Sequence, residues 1–220
     1  MDGLTVLRQL AASDNELGVQ GERLRALADE VESVRARAEA VESFFADYSD
    51  QESRRRAATA TAREHAAQRT EAARRAAADL EAARGEEQRA AAEQTVARAD
   101  DRVAVAEARV ARAEEAERKL EREAAAHQGE VPLLEQAAQR VSRELPDLPP
   151  EPKGPRDLLD WASRARATLF VAESGIDTQR ERLIREANEL GTMLLGEPTY
   201  GSTAAQVQAR VEATIGRTPS

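Results

Sequence analysis

The chain has no cysteine, and only 3% of its 220 residues are aromatic. Without thiols it has no disulfide, no thiolate nucleophile and no cysteine-based metal site. Three Phe, two Tyr and one Trp are too few to dominate a globular core in the usual way. Lysine is scarce too: Lys119 and Lys153 stand alone among 32 basic residues. With abundant alanine, that bias fits a GC-rich genome and a bacterial-type composition. No apolar run approaches about 18 residues, so no transmembrane helix is expected. No basic segment followed by an apolar one trails Met1, so no signal peptide is expected and the cytoplasm is the default location.

Chemical motifs are missing as well. There is no phosphate-cradling G-x-x-x-x-G-K-[ST] loop and no H-E-x-x-H pair. Gly18-Val-Gln-Gly21 and Gly191 to Gly196 follow no strand and read as helix-end punctuation. His65 and His127 stand apart and read as structural. The expectation is a chain with no catalytic residue, no cofactor, no metal and no small-molecule substrate: not an enzyme.

What is present is periodicity. Ala, Glu, Arg and Leu dominate, and 33% of residues are charged, a composition shared by coiled coils and disordered charged tracts. Alternating steps of three and four separate the two. One series runs from Leu17 through Gln20, Leu24, Leu27, Val31, Val34, Ala38, Val41, Phe45, Tyr48, Glu52, Arg55, Thr59, Ala62, Ala66, Arg69, Ala73, Ala76 and Leu80 to Ala83. A second starts at Ala92 and runs from Val96 through Val103, Ala106, Val110, Glu117, Leu120, His127, Val131, Leu134 and Val141 to Leu145. Two such seams are the mark of coiled-coil helices.

The nine residues from Ala83 to Ala92 break the alternation, and Gly85 lies inside them. A glycine costs a helix interior about 1 kcal/mol relative to alanine. A corner near residues 84–88 explains both facts, so the expected fold is all-α: a long antiparallel two-helix coiled-coil hairpin followed by a small C-terminal helical region. Residues facing each other should have numbers totalling about 172, an arm of about 100 Å at about 1.5 Å per residue. Arg55 then faces Glu117 as a register pair, and Phe45 faces His127. Ser13-Asp14-Asn15-Glu16 reads as a capping box that starts the helix beside Leu17. Ser49 to Glu52 is a second such box, where a kink is the alternative to continuity. Gly129 and Pro132 point to a kink or one-turn break in the second helix.

The organisation read from this is residues 1–145 for the N-terminal segment and hairpin, a Pro-rich linker at 146–155, and a helical assembly or docking region at 156–220. "PDLPPEPKGP" carries five prolines in ten residues and reads as extended. Beyond it, Leu158, Leu159, Trp161, Leu169, Phe170 and Val171 crowd much of a helix circumference. A helix apolar on several sides is buried on several sides, so Leu158, Trp161, Leu169 and Phe170 are the candidate interface. Ser174-Gly175 leaves open whether 156–195 is one helix or two. Ser202 reads as the cap of a last helix carrying Val207, Val211 and Ile215.

Charge narrows the partners. The net charge of −9 argues against nonspecific nucleic-acid binding. Residues 51–75 nevertheless hold seven arginines against three glutamates, a local +4, and no base-stacking aromatic. The functional expectation is a scaffold or interaction protein, with the hairpin as spacer and the C-terminal helices mediating homo-oligomerisation or protein docking. The plan of a long helical hairpin plus further helices resembles that of bacterial phage-shock proteins. That resemblance implies a membrane-associated or membrane-remodelling assembly as the rival, although residues 1–16 lack the basic face of a membrane-surface helix. A helical nucleic-acid binder is the third reading and rests on the arginine stretch.

Overall fold

The computed structural model describes residues 2–145, 148 and 152–215. Among these the chain is all-α, with helices α1 (Gly3–Ala82), α2 (Glu86–Glu144), α3 (Gly154–Leu195) and α4 (Ala204–Ile215) and no strand. Half of the expected linker, residues 146, 147 and 149–151, lies outside the described residues.

Long helices follow from the composition. α1 has no proline, and its glycines all precede residue 22. Good helix formers fill the rest, and i,i+4 pairs such as Glu52–Arg56 and Glu71–Arg75 line the surface. Each such pair adds a few tenths of a kcal/mol. Ser49 to Glu52 are helical, Ser174 and Gly175 lie within one α3, and α2 continues through Gly129 and Pro132. The expected break at Pro132 is absent, although proline removes one intrahelical donor.

The first capping box does not start a helix, because α1 begins eleven residues before Asp14, at Gly3. Asp14 caps a different one. Its Oδ2 accepts a hydrogen bond from Ala204 N at 3.0 Å, at the start of α4, and its Oδ1 accepts from Arg180 Nε at 3.0 Å. The carboxylate is buried, and both of its oxygens are satisfied.

Contacts divide the chain into two compact units, residues 1–39 with 133–220 and residues 40–132. Unit 1 holds two apolar clusters. In the larger, Leu27, Val31, Val34 and Ala38 of α1 meet Leu134, Ala138 and Val141 of α2 and Leu158, Trp161, Ala162, Ala165 and Leu169 of α3. In the smaller, Leu7 and Ala11 meet Ala187 of α3 and Ala204, Val207 and Val211 of α4. Glycines set the approach between helices. A Cβ on Gly191 would lie 2.7 Å from Thr199 Oγ1 and 2.9 Å from Val207 Cγ1. Gly18 and Gly21 face Arg180 and Ile176 of α3. These three glycines are packing positions inside helices rather than the punctuation that the sequence suggested; only Gly196, at φ +71, ends α3.

Unit 2 contains the second half of α1 and most of α2. Phe44 stacks on His127 with ring centroids 4.5 Å apart, Arg55 Nη1 donates to Ala116 O at 2.6 Å, and Arg63 Nη2 donates to Glu114 Oε1 at 2.8 Å. Partner numbers fall on α2 as they rise on α1, which is compatible with an antiparallel hairpin. Every expected seam position of α2 from Val96 to Val131 is buried or half-buried. On α1 the same holds from Val41 to Ala83 except at Arg69, which is exposed while Thr70 is half-buried. A guanidinium is expensive to desolvate, so the helix turns its neighbour inward there. Gln20 and Gly21 in unit 1 exchange places in the same way.

Large apolar side chains concentrate in unit 1, and alanine dominates the seam of unit 2. Leu158→Ala is therefore expected to lower stability by about 2–5 kcal/mol in denaturant unfolding. Ala66→Gly should lose only about 1 kcal/mol, its propensity difference; equal losses would contradict this distribution. Asp14→Ala leaves Ala204 N and Arg180 without their buried acceptor and should cost about 1–3 kcal/mol. Hydrogen exchange should then quicken first in α4, and protection unchanged there would count against the cap.

Candidate functional site

The four candidate interface residues part company in the structure. Leu158 and Leu169 are buried in the larger cluster of unit 1, and Trp161 is 2% exposed beside them. The indole Nε1 of Trp161 donates to Ser142 Oγ of α2 at 3.0 Å. Phe170 stands outside, 70% exposed, with Val171 equally exposed next to it. One helix thus turns three of these side chains into the chain's own core and leaves the fourth in solvent.

Farther along α3, Ile184, Asn188, Thr192 and Met193 line a shallow groove of about 810 Å³ together with Thr199 and Tyr200. The loop after Gly196 is tied to α3 by a polar network. Gly201 N donates to Asn188 Oδ1 at 2.8 Å, Thr199 Oγ1 donates to Asn188 O at 2.7 Å, and Thr199 N donates to Thr192 Oγ1 at 3.0 Å. This network holds Tyr200 at the groove edge, 81% exposed, opposite the 72% exposed Met193. Exposed apolar groups on an ordered loop were not readable from "GEPTYGS", since the network joins side chains that no periodicity connects.

In unit 2 the expected register pair is rearranged. Arg55 spends its donor on Ala116 O, and the cation nearest Glu117 is Arg56, whose Nε lies 3.9 Å from Glu117 Oε1. The backbone carbonyl gives Arg55 a partner at the seam itself, while Arg56 reaches Glu117 from the rim. His127 meets Phe44 rather than Phe45, and its Nδ1 lies 3.7 Å from Glu130 Oε2. Burial, then the charges of Glu52 and Glu121, raise the Tyr48 phenol above its ordinary range. Tyr48 packs with Phe44 and Phe45.

A second groove, about 480 Å³, runs beside the seam of unit 2 and is lined by Ala62, His65 and Arg69 of α1 and by Asp101, Arg102, Val105, Ala106 and Arg109 of α2. Its three arginines make no ion pair or side-chain hydrogen bond among the described residues. Elsewhere on the unit, hydrogen bonds from Arg122 and then its charge hold the Glu115 carboxyl below the usual carboxylate range. What that pair contributes is present at neutral pH and lost as pH falls through the lowered value. No group of His, Asp or Glu among the described residues is arranged to hold a metal, and no described helix is long and apolar enough to cross a membrane.

Gly85 lies between α1 and α2 with φ +103, and nothing approaches a Cβ built on it. Its requirement is conformational. Gly85→Ala should cost about 1–2 kcal/mol without a steric component, and a neutral outcome in thermal unfolding would show that the turn does not need glycine. Compared with known proteins, the chain matches no family model, no curated protein and no solved structure.

Proposed function

We propose that this chain is a non-enzymatic helical scaffold. In this reading residues 40–132 form an antiparallel two-helix coiled-coil hairpin turned at Gly85 and serve as a spacer. α3 offers the surface for self-association or for a protein partner. The observation that carries the reading is the burial pattern of unit 2: two helices, each inward at steps of three and four, with alanine the commonest inward residue. Such a seam satisfies itself and supports length rather than a pocket. Small facing residues bring helix axes to the near end of the usual range of about 8–10 Å. Residues 40–82 of α1 would extend about 65 Å at about 1.5 Å per residue.

The docking half of the reading rests on Phe170 and Val171. Neighbouring side chains of this size, both 70% exposed, are costly to leave in water. A second copy or a protein partner would cover them. The rival membrane and nucleic-acid readings would instead have to use the arginines of unit 2.

Two measurements test the proposal. Spin labels on Ala66→Cys and Ala106→Cys should report a short intrachain distance, set by an interaxial spacing of about 8–10 Å. A separation near 60 Å, which about 40 residues of continuous helix would span, rejects the hairpin. Phe170→Glu with Val171→Glu should leave helicity and unfolding unchanged, because neither side chain belongs to the core. At high salt, where apolar association persists, the doubly substituted chain should sediment as a smaller species than the wild type. A wild type that sediments as one chain under these conditions, and whose α3 surface gains no protection from any protein partner, rejects the docking role.

A further inference from the structure

Helix α2 carries its charge in two stripes. Arg98, Arg102, Arg109 and Arg112, with the 55% exposed Val105 among them, recur at steps of three and four along one side. Asp100, Glu107, Glu114 and Glu121 recur every seven residues along another. Arg102 and Asp100 differ by two positions, as do Arg109 and Glu107, which is about 200° of helical turn. The two stripes therefore lie on nearly opposite sides of α2. The contacts with α1 agree: Arg102 and Arg109 line the groove with His65 and Arg69, whereas Glu114 accepts from Arg63.

The stripes are largely unspent within the chain. Arg98, Arg102, Arg109, Arg112 and Arg69 have no carboxylate partner among the described residues, and Asp100 and Glu107 have no cationic one. By contrast, Arg56, Arg63, Arg75, Arg89, Arg118 and Arg122 in the same unit all do. On the basic side Asp101 is the one acid that lines the groove. On the acidic side the α1 cations Arg56 and Arg63 are already engaged with Glu52 and Glu114. A −9 chain that sorts its free charges onto opposite sides of one helix carries complementary surfaces.

We infer that the occupant of the basic side is the acidic side of a second copy of this chain, with the two copies alongside each other. With the two pointing the same way, the charge levels match. Arg98 and Arg102 straddle the level of Asp100, Arg109 lies beside that of Glu107, and Arg112 beside that of Glu114, each offset by two residues or about 3 Å of rise. A reversed second copy also matches levels, with Arg102 at the height of Glu107 and Arg109 at that of Asp100, so the pairing of stripes holds in either orientation. Because the two contacting surfaces differ, a pair retains one free side of each kind, and association is open-ended rather than closed into a dimer. The inference extends the scaffold reading but does not use the apolar α3 surface, so ionic strength separates the two. Exposed ion pairs weaken as the screening length falls from about 10 Å at 0.1 M salt to about 3 Å at 1 M, whereas apolar contacts persist.

The test uses the full chain with Phe170→Glu and Val171→Glu in place, to silence α3, and follows mass by sedimentation velocity. At low salt the mass should grow with concentration, and at about 1 M salt it should return to one chain. Arg102→Glu with Arg109→Glu makes both sides acidic and should abolish the growth. Asp100→Arg with Glu107→Arg makes both sides basic and should abolish it too. An equimolar mixture of these two variants should associate again, since an acidic side then meets a basic one. If the unsubstituted stripes give no growth at low salt, or if the mixture stays as separate chains, the inference is wrong. It is equally wrong if the arginine variant loses binding to duplex DNA or to anionic vesicles while its self-association is unchanged, because the basic side then serves a polyanion. Loss of mass only when α3 is changed would uphold the α3 surface and overturn this one.

Discussion

Helix α1 has one apolar edge, and every part of that edge has to be covered by another helix of the same chain. Leu4, Leu7, Ala11, Asp14, Gly18 and Gly21 turn inward along its first turns, then Leu24, Leu27, Val31, Val34 and Ala38, then Val41 onward. α3 and α4 cover the first stretch, α2 and α3 the second. A helix this rich in charge owes little to propensity alone, since most helical stability in proteins comes from packing an amphipathic face. The other features serve that cover. Gly191 lets the loop at Thr199 and Val207 of α4 close on α3, and Asp14 reaches out of the edge to fix the first turn of α4.

How much of this was legible depends on what kind of information periodicity carries. It tells which side of a helix faces inward, and here it did so well. All expected seam positions of α2 from Val96 to Leu145 are buried or half-buried. The two lapses on α1 have one physical origin. At Gln20 and Arg69 a strict alternation would bury a polar group, and a one-residue shift buries Gly21 and Thr70 instead. Periodicity does not say which helix supplies the cover. The crowded apolar side chains of α3 were consistent with a second chain, and the structure directs Leu158, Trp161 and Leu169 into unit 1 while leaving Phe170 out. Local motifs misled for the same reason. A Ser-Asp-Asn-Glu run has a helix-capping chemistry wherever it lies, but only the tertiary fold could show that the donor is Ala204 N, 190 residues away.

The candidate surfaces were less legible than the core. Glu117 and Arg55 were expected to pair, yet the rim residue Arg56 approaches Glu117 while Arg55 takes a backbone carbonyl. Long, flexible cations choose among several acceptors within reach, and a facing rule at the level of Cα positions cannot rank them. The arginines of residues 51–75 form a positive stretch in sequence, but most of them find acids nearby. Arg98, Arg102, Arg109 and Arg112 of α2 find none, and there Asp100 and Glu107 lie so close in sequence that composition averages the two signs away. Only the division of the helix into sides separates them.

This separation has an energetic side. Alanine buries little area, so the seam of unit 2 contributes less per turn than the leucines, valines and tryptophan of unit 1. Exposed charges on its flanks add little in either direction, because exposed ion pairs are worth about 0–1 kcal/mol each. Changes to the charges on the flanks of unit 2 therefore have little effect on folding, while unit 1 buries most of the large apolar side chains. The result is a division along one helix: α1 begins among the large apolar side chains of unit 1 and continues into the alanine-rich seam of unit 2.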